Sequence, residues 1–370
     1  MVTIKDIKIR KILNSSGNWT LEIDLISSSG IIASASVPQG KSKGQFEAEY
    51  VNVNTAISNT EIIKKLINKK FNSIQDFDKK LIDIDGTKRK SGLGANLILS
   101  FSIGFTKVFA AEQKKETYEY LSQEYGIKPK VPQFSLLIFE GGKHGSEHIS
   151  IQEFMLITND IEESRSIVKT FEKYLRDNNL FVGYGAEGAF TSSKLNDIDV
   201  LNLLKSIAPN KQIALDIAES SREGEPLDYD SIINTYNILS IEDPKNENDT
   251  LGWKDFFEKY GKKIIVIADD LTISNKTLIA NAQRENLANA VIIKPNQIGT
   301  VSETIEAVKT ARDKDWKIIV SHRGEDTNDD FIADLAVGVG ADYVKFGGLQ
   351  RGERIAKYNR ILEITNKLRN

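Results

Sequence analysis

Ile213-Ala214-Leu215-Asp216 opens the series that decides the fold. Leu239-Ser240-Ile241 runs into Glu242, Ile264 to Ala268 into Asp269, Val291-Ile292-Ile293 into Lys294, Ile318-Ile319-Val320-Ser321 into His322, and Tyr343-Val344 into Lys345. Each is a short apolar run closed by a charged or ionisable side chain and followed by a longer amphipathic stretch, the rhythm of a parallel sheet built from βα units. The closing residues recur at intervals of roughly 25 residues, room for one strand, one loop and one helix. In a (β/α) barrel the C-terminal ends of the strands open on one face, so these six side chains are expected to converge there. Taken singly, each is also what a helix cap or a solvated loop supplies. Six in phase predict a site.

Working outward, the βα texture begins after Tyr125-Gly126-Ile127-Lys128-Pro129, which predicts an α/β barrel of the (β/α)8 type over 129–370. The first part, 1–128, reads as a small α+β domain. Thr20 to Leu25 alternates polar with apolar, and Ile31 to Val37 follows the turn-forming Ser27-Ser28-Ser29-Gly30, predicting an antiparallel hairpin. Helical patterns follow at about Thr60 to Lys70, Ile74 to Leu81 and Ala95 to Gln113.

The chain has 370 residues, with 49 Lys and Arg against 52 Asp and Glu. That balance gives no field to draw it to nucleic acid or an acidic membrane, so the expected partner is a small molecule. The absence of cysteine excludes disulfides, thiolate metal sites and a cysteine nucleophile. Met1 to Arg10 lacks the apolar core of a secretory leader, and no apolar run approaches the roughly 20 residues of a membrane span. A soluble, cytoplasmic protein is expected.

Asp216, Glu242 and Asp269 offer hard oxygen ligands without imidazole or thiolate, a set that suits Mg²⁺ better than zinc. The same three residues are also what helix caps or ion pairs would supply. Burial beside a cation is expected to push Lys294 and Lys345 down and free an amine as a base. Metal plus lysine is the equipment for taking a proton from a carbon next to a carboxylate.

The wording of the chain resembles the enolase family over nearly its whole length. The resemblance rests on Asn14-Ser15-Ser16-Gly17-Asn18-Trp19-Thr20, Val37-Pro38-Gln39-Gly40-Lys41-Ser42-Lys43-Gly44, Leu93-Gly94-Ala95-Asn96, Gly141-Gly142-Lys143-His144, Ile151-Gln152-Glu153-Phe154-Met155, Ser240-Ile241-Glu242-Asp243-Pro244, Asp269-Asp270-Leu271, Asn296-Gln297-Ile298-Gly299-Thr300 and Ser321-His322-Arg323. The resemblance implies a lyase that interconverts 2-phosphoglycerate and phosphoenolpyruvate in glycolysis and gluconeogenesis, with two Mg²⁺ per site when substrate is bound. Asp216, Glu242 and Asp269 would hold the first ion, and Ser42, on a mobile active-site loop, the second. Lys294 would be the base at C2, and Lys345 would bind the substrate carboxylate. Glu187 in Gly185-Ala186-Glu187-Gly188 would be the acid that assists loss of the C3 hydroxyl, with Glu153 beside it. Arg323 would grip the phosphate, His144 and His322 would line the closed site, and Gln152, Gly40 and Gly324 would complete the substrate-binding wall. For the two histidines a purely structural hydrogen bond is the competing reading.

The chain departs from the family pattern at Ala186, Ala189, Glu140 and Gly324, where an aspartate, a glycine, an asparagine and a serine are usual. Gln39, Lys41 and Lys43 replace small neutral loop residues, and the connections after Ala48 and Asp216 are short. These changes keep open an enolase-like scaffold used for binding rather than catalysis. A racemase or sugar-acid dehydratase of the wider superfamily fits less well, because Gln152-Glu153-Phe154 stands where those relatives carry a Lys-x-Lys pair. The family's dimeric habit implies a homodimer in which Arg10 faces Glu353 and Glu22 faces Glu363. The second pair is like-charged and predicts a weakened or shifted interface.

Overall fold

A computed structural model of the chain describes residues 1–40 and 46–369; Lys41, Ser42 and Lys43, expected on an active-site loop, lie outside them. The turn after Ser27 joins β2 (Trp19–Ser27) to β3 (Ile32–Ser36), with Ile23 opposite Ala35, so the expected hairpin forms. It is extended by β1 (Val2–Leu13), antiparallel to β2, and by the two-residue β4 (Lys70–Phe71), in the order β3-β2-β1-β4. Leu21, Ile23 and Leu25 alternate onto one face and are fully buried there. The helix Ala95–Glu112 packs on that face, and Gly104 permits the approach, because a Cβ there would lie 2.7 Å from Ile23 Cδ1.

Two helical expectations need correction. The helix read at Thr60 to Lys70 runs over Val53–Ile63, where the Asn52 side chain accepts the N–H of Asn54 as an N-cap, and a 3-10 turn at Lys64–Leu66 ends it. Lys70 is recruited instead to β4, beside β1. The helix begun at Ile74 continues past Leu81 to Asp85.

The remainder forms a closed barrel of eight strands: β5 (Gln133–Glu140), β6 (Glu153–Thr158), β9 (Ile213–Asp216), β10 (Ile238–Glu242), β11 (Ile265–Ala268), β12 (Ala290–Ile293), β13 (Lys317–Ser321) and β14 (Tyr343–Lys345). Strand β14 closes it by pairing with β5. The small hairpin of β7 (Gly183–Tyr184) and β8 (Phe190–Thr191) adds to β5 outside the ring, opposite Phe139. The barrel is not uniformly parallel: β6 runs against both β5 and β9. The link from β5 to β6 holds one 3-10 turn, Gly142–His144, and no crossover helix, so the chain simply reverses. Strand β6 therefore brings its first residue, Glu153, to the mouth, level with Asp216 of β9 and Glu140 of β5.

Period two fills the interior. Met155 lies one pleat below Glu153, Ala214 below Asp216, Ile267 below Asp269 and Ile292 below Lys294, and these apolar residues form a floor under the charged ring. No helix among the described residues is long and apolar enough to cross a membrane.

Candidate active site

The strand-end residues meet at the barrel mouth as the spacing predicts. One cavity there is lined by Asp216, Asp269, Lys294, His322 and Lys345, together with Glu153, Glu187, His144, Gln152, Arg323, Gly40 and Gly324. Glu242 bonds to Lys345 and lines a second, smaller cavity that Lys345 shares.

Lys345 occupies the centre. Its Nζ is 2.7 Å from Asp216 Oδ2, 3.0 Å from each oxygen of Glu242 and 3.3 Å from Glu153 Oε2. Gln152 donates to Asp216 Oδ2 from the far side at 3.2 Å. Burial alone would lower the Lys345 amine, but Asp216, Glu153 and Glu242 raise it well above its ordinary value. Lys294 bonds directly to Asp269, and that contact outweighs burial and raises it as well. Each amine's carboxylate neighbours thus act against the downward push expected from burial beside a cation.

Lys294 owes its position to Pro295. The residue before a proline is held extended, and Pro295 opens a short helix, Pro295–Ile298, for which Lys294 is the N-cap. Gln297 of that helix donates to Asp269 Oδ1 at 3.0 Å, and Ser274 fixes Gln297 in turn at 2.6 Å.

On the opposite wall, Glu187 is buried in the loop between β7 and β8. His322 Nε2 is 3.2 Å from its Oε2, and His144 Nδ1 is 3.6 Å from its Oε1. Burial pushes His322 down to about 4 although Glu187 pulls the other way, which favours a neutral imidazole beside Glu187. It leaves Glu187 the anion. Glu153 goes the other way: burial, then the charges of Glu187, Asp216 and Glu242, raise it well above the carboxylate range despite Lys345. Two neighbouring carboxyls with proton affinities driven apart are equipment for proton transfer.

Sequence reasoning missed several members of the site. Asp243, which takes a positive φ of 43°, accepts the N–H of Asp269 at 2.9 Å and of Asp270 at 3.0 Å. Carboxylate oxygens of Asp243, Asp269 and Asp270 lie within 4.8 Å of one another. Asp216 and Glu242, expected to join Asp269 around an ion, both bond to Lys345. The acid pairs Glu242-Asp243 and Asp269-Asp270 were the available signal. Arg323 is clasped by Glu47, and Glu140 lies under the Glu187 loop, neither of which any local pattern announces.

The donor set fits a hard divalent cation. Glu242, pushed up to about 8, and Asp270, to about 7, owe their shifts first to burial and then to neighbouring carboxylates. Carboxyl groups outnumber the lysines and Arg323 in the lining of the mouth, and they offer hard oxygen donors.

The chain aligns with the enolase of Ehrlichia ruminantium at 35% identity over 411 positions, covering 99% of this chain and 97% of that protein. The enolase of Elusimicrobium minutum is also 35% identical, over 100% of this chain and 97% of its own. The chain belongs to the enolase family. The family's "Enolase, N-terminal domain" model matches residues 4–121 and its "Enolase, C-terminal TIM barrel domain" model residues 211–370. Enolases are lyases, and a divalent metal is implied by membership. An alignment of 411 positions exceeds this enolase-family chain of 370 residues, in keeping with its short connections. The stretch between the two matched domains contains β5 to β8, and with them Glu140, Ala186 and Glu187.

Proposed function

We propose that the protein is a Mg²⁺-dependent enolase that reversibly removes water from 2-phosphoglycerate to give phosphoenolpyruvate. The observation that carries this reading is the disposition of Lys294 and Glu187 on opposite walls of one cavity, at the ends of β12 and of the hairpin beside β5. Elimination needs a base on one side of the substrate and an acid on the other.

In this reading the Lys294 amine, once it has given up its own proton, takes the C2 proton, and the electrons of that C–H bond become the second bond between C2 and C3. The C3–O bond breaks, and the hydroxyl leaves as water with a proton delivered from the Glu187 and Glu153 pair. His322 and His144 hold that pair. Lys345 binds the substrate carboxylate, Arg323 the phosphate through its planar fork, and Gln152, Gly40 and Gly324 complete the wall. Asp216, Glu242 and Asp269 would hold one Mg²⁺ and Ser42 would serve a second; when bound, the metal offsets the extra negative charge that proton removal leaves on the substrate carboxylate. The reading extends to a homodimer acting in cytoplasmic glycolysis and gluconeogenesis. Adding 2-phosphoglycerate and Mg²⁺ and following the ultraviolet absorbance of phosphoenolpyruvate tests it. No absorbance change at high enzyme concentration would leave the scaffold alternative.

A further inference from the structure

Glu140, the last residue of β5, is a fully buried carboxyl outside the set of groups that meet substrate. Its Oε2 accepts the backbone N–H of Glu187 at 2.9 Å, and its Oε1 accepts that of Ala189 at 2.9 Å and shares that of Glu187 at 3.2 Å. The fit is close, since a Cβ on Gly185 would overlap the Glu140 carboxyl. From the other side, Gly348 N–H donates to the carbonyl of Glu187 at 2.9 Å, and Arg351 to that of Gly185 at 2.9 Å. The Glu187 main chain is thus pinned at its N–H by one side chain and at its C=O by the backbone after β14.

We propose that Glu140 is a positioning residue for the elimination step, fixing the Gly185–Ala189 loop through two backbone N–H groups so that the Glu187 carboxyl is held against His322 and His144. The inference rests on the enolase reading given above. It predicts a selective defect, because Lys294 and the phosphate end of the site lie on the other wall and do not depend on this loop.

Two substitutions separate position from bulk. Glu140→Gln keeps a carbonyl oxygen where Oε1 already accepts both N–H groups, whereas Glu140→Met has nearly the same length and leaves both buried donors without an acceptor. In Glu140→Met, phosphoenolpyruvate formation is expected to fall on the order of 100-fold, the loss that follows a misplacement of about 1 Å. Exchange of the C2 proton in D₂O, read by NMR on the same sample, should fall by less than about threefold, with KM nearly unchanged. Glu140→Gln should recover most of the elimination rate. Should Glu140→Met fail to fold, Glu140→Ala offers the same loss of acceptors with less bulk. Elimination and exchange falling in equal proportion, or parent-level elimination in Glu140→Met, would overturn the assignment while leaving the enolase reading intact. A parent protein that neither exchanges nor eliminates would overturn both.

Discussion

Both terminal nitrogens of the Arg323 guanidinium face one carboxylate, that of Glu47, with Nη2 3.2 Å from Oε1 and Nη1 3.3 Å from Oε2. The pair joins the amino-terminal domain to the loop after β13, and both partners are almost wholly buried. Removing one member of such a pair leaves a buried charge short of a partner and costs about 3–5 kcal/mol. Asp269 also favours the charged Arg323, which places the expected loss for Glu47→Ala at about 3 kcal/mol. Urea unfolding would read it. Inorganic phosphate, by supplying an anion to Arg323, should restore more stability to the variant than to the parent. A loss within experimental error of zero would show that the pair is incidental.

The opposed placement of Lys294 and Glu187 predicts two different defects. Lys294→Ala should lose C2 exchange and turnover together, by about 100-fold or more, because in this reading Lys294 is the group that takes the C2 proton. Glu187→Gln should lose turnover while keeping part of the exchange. Native exchange in the Lys294 variant would remove it from the role of base.

Oxygen donors alone set the metal preference. Activity should vanish in excess EDTA and return with Mg²⁺ but not with Ca²⁺, whose looser coordination tolerates geometries the reaction does not. Full turnover in EDTA would contradict the cofactor assignment.

Most of the barrel was legible because each strand end carries its own signal within a few residues, an apolar run closed by Asp216, Glu242, Asp269, Lys294, His322 or Lys345. The 12-residue β1 was not, because its register shifts between Ile4 and Asp6 and so breaks the alternation a strand would otherwise display. The reversed β6 was hidden for another reason: strand direction depends on whether a crossover helix intervenes, which Gln152-Glu153-Phe154 does not reveal. The hydrogen bond from Arg323 to Glu47 spans 276 residues, and the one from Glu187 to Glu140 spans 47. Such contacts are products of tertiary packing and leave no local trace. The carboxylates around Lys294 and Lys345 were hidden likewise, since the fold brings them to each amine from distant strands.

The last prediction concerns the seam between the domains. Asp78, in the helix Ile74–Asp85, is fully buried and accepts the N–H of Ser302, in the first turn of the barrel helix Val301–Arg312, at 2.9 Å. Burial raises it to about 6, against hydrogen bonds from Ser102 and Ser302 that favour the anion. A carboxyl raised in the folded state binds its proton more tightly there than in the unfolded chain. Its favourable contribution is complete below about pH 4 and is lost as the pH rises through about 6. At neutral pH the native state therefore carries a penalty of up to about 3 kcal/mol for the buried charge. Asp78→Asn keeps an oxygen for Ser302 and removes that charge. The variant should melt higher than the parent at pH 7 to 8, and its advantage should shrink steadily as the pH is lowered from about 6 toward 4. Thermal melts of both proteins across this range measure the difference directly. A gap that stays constant with pH would mean that Asp78 does not titrate at the seam, and a variant less stable than the parent at every pH would mean that its carboxylate is a net stabilising contact.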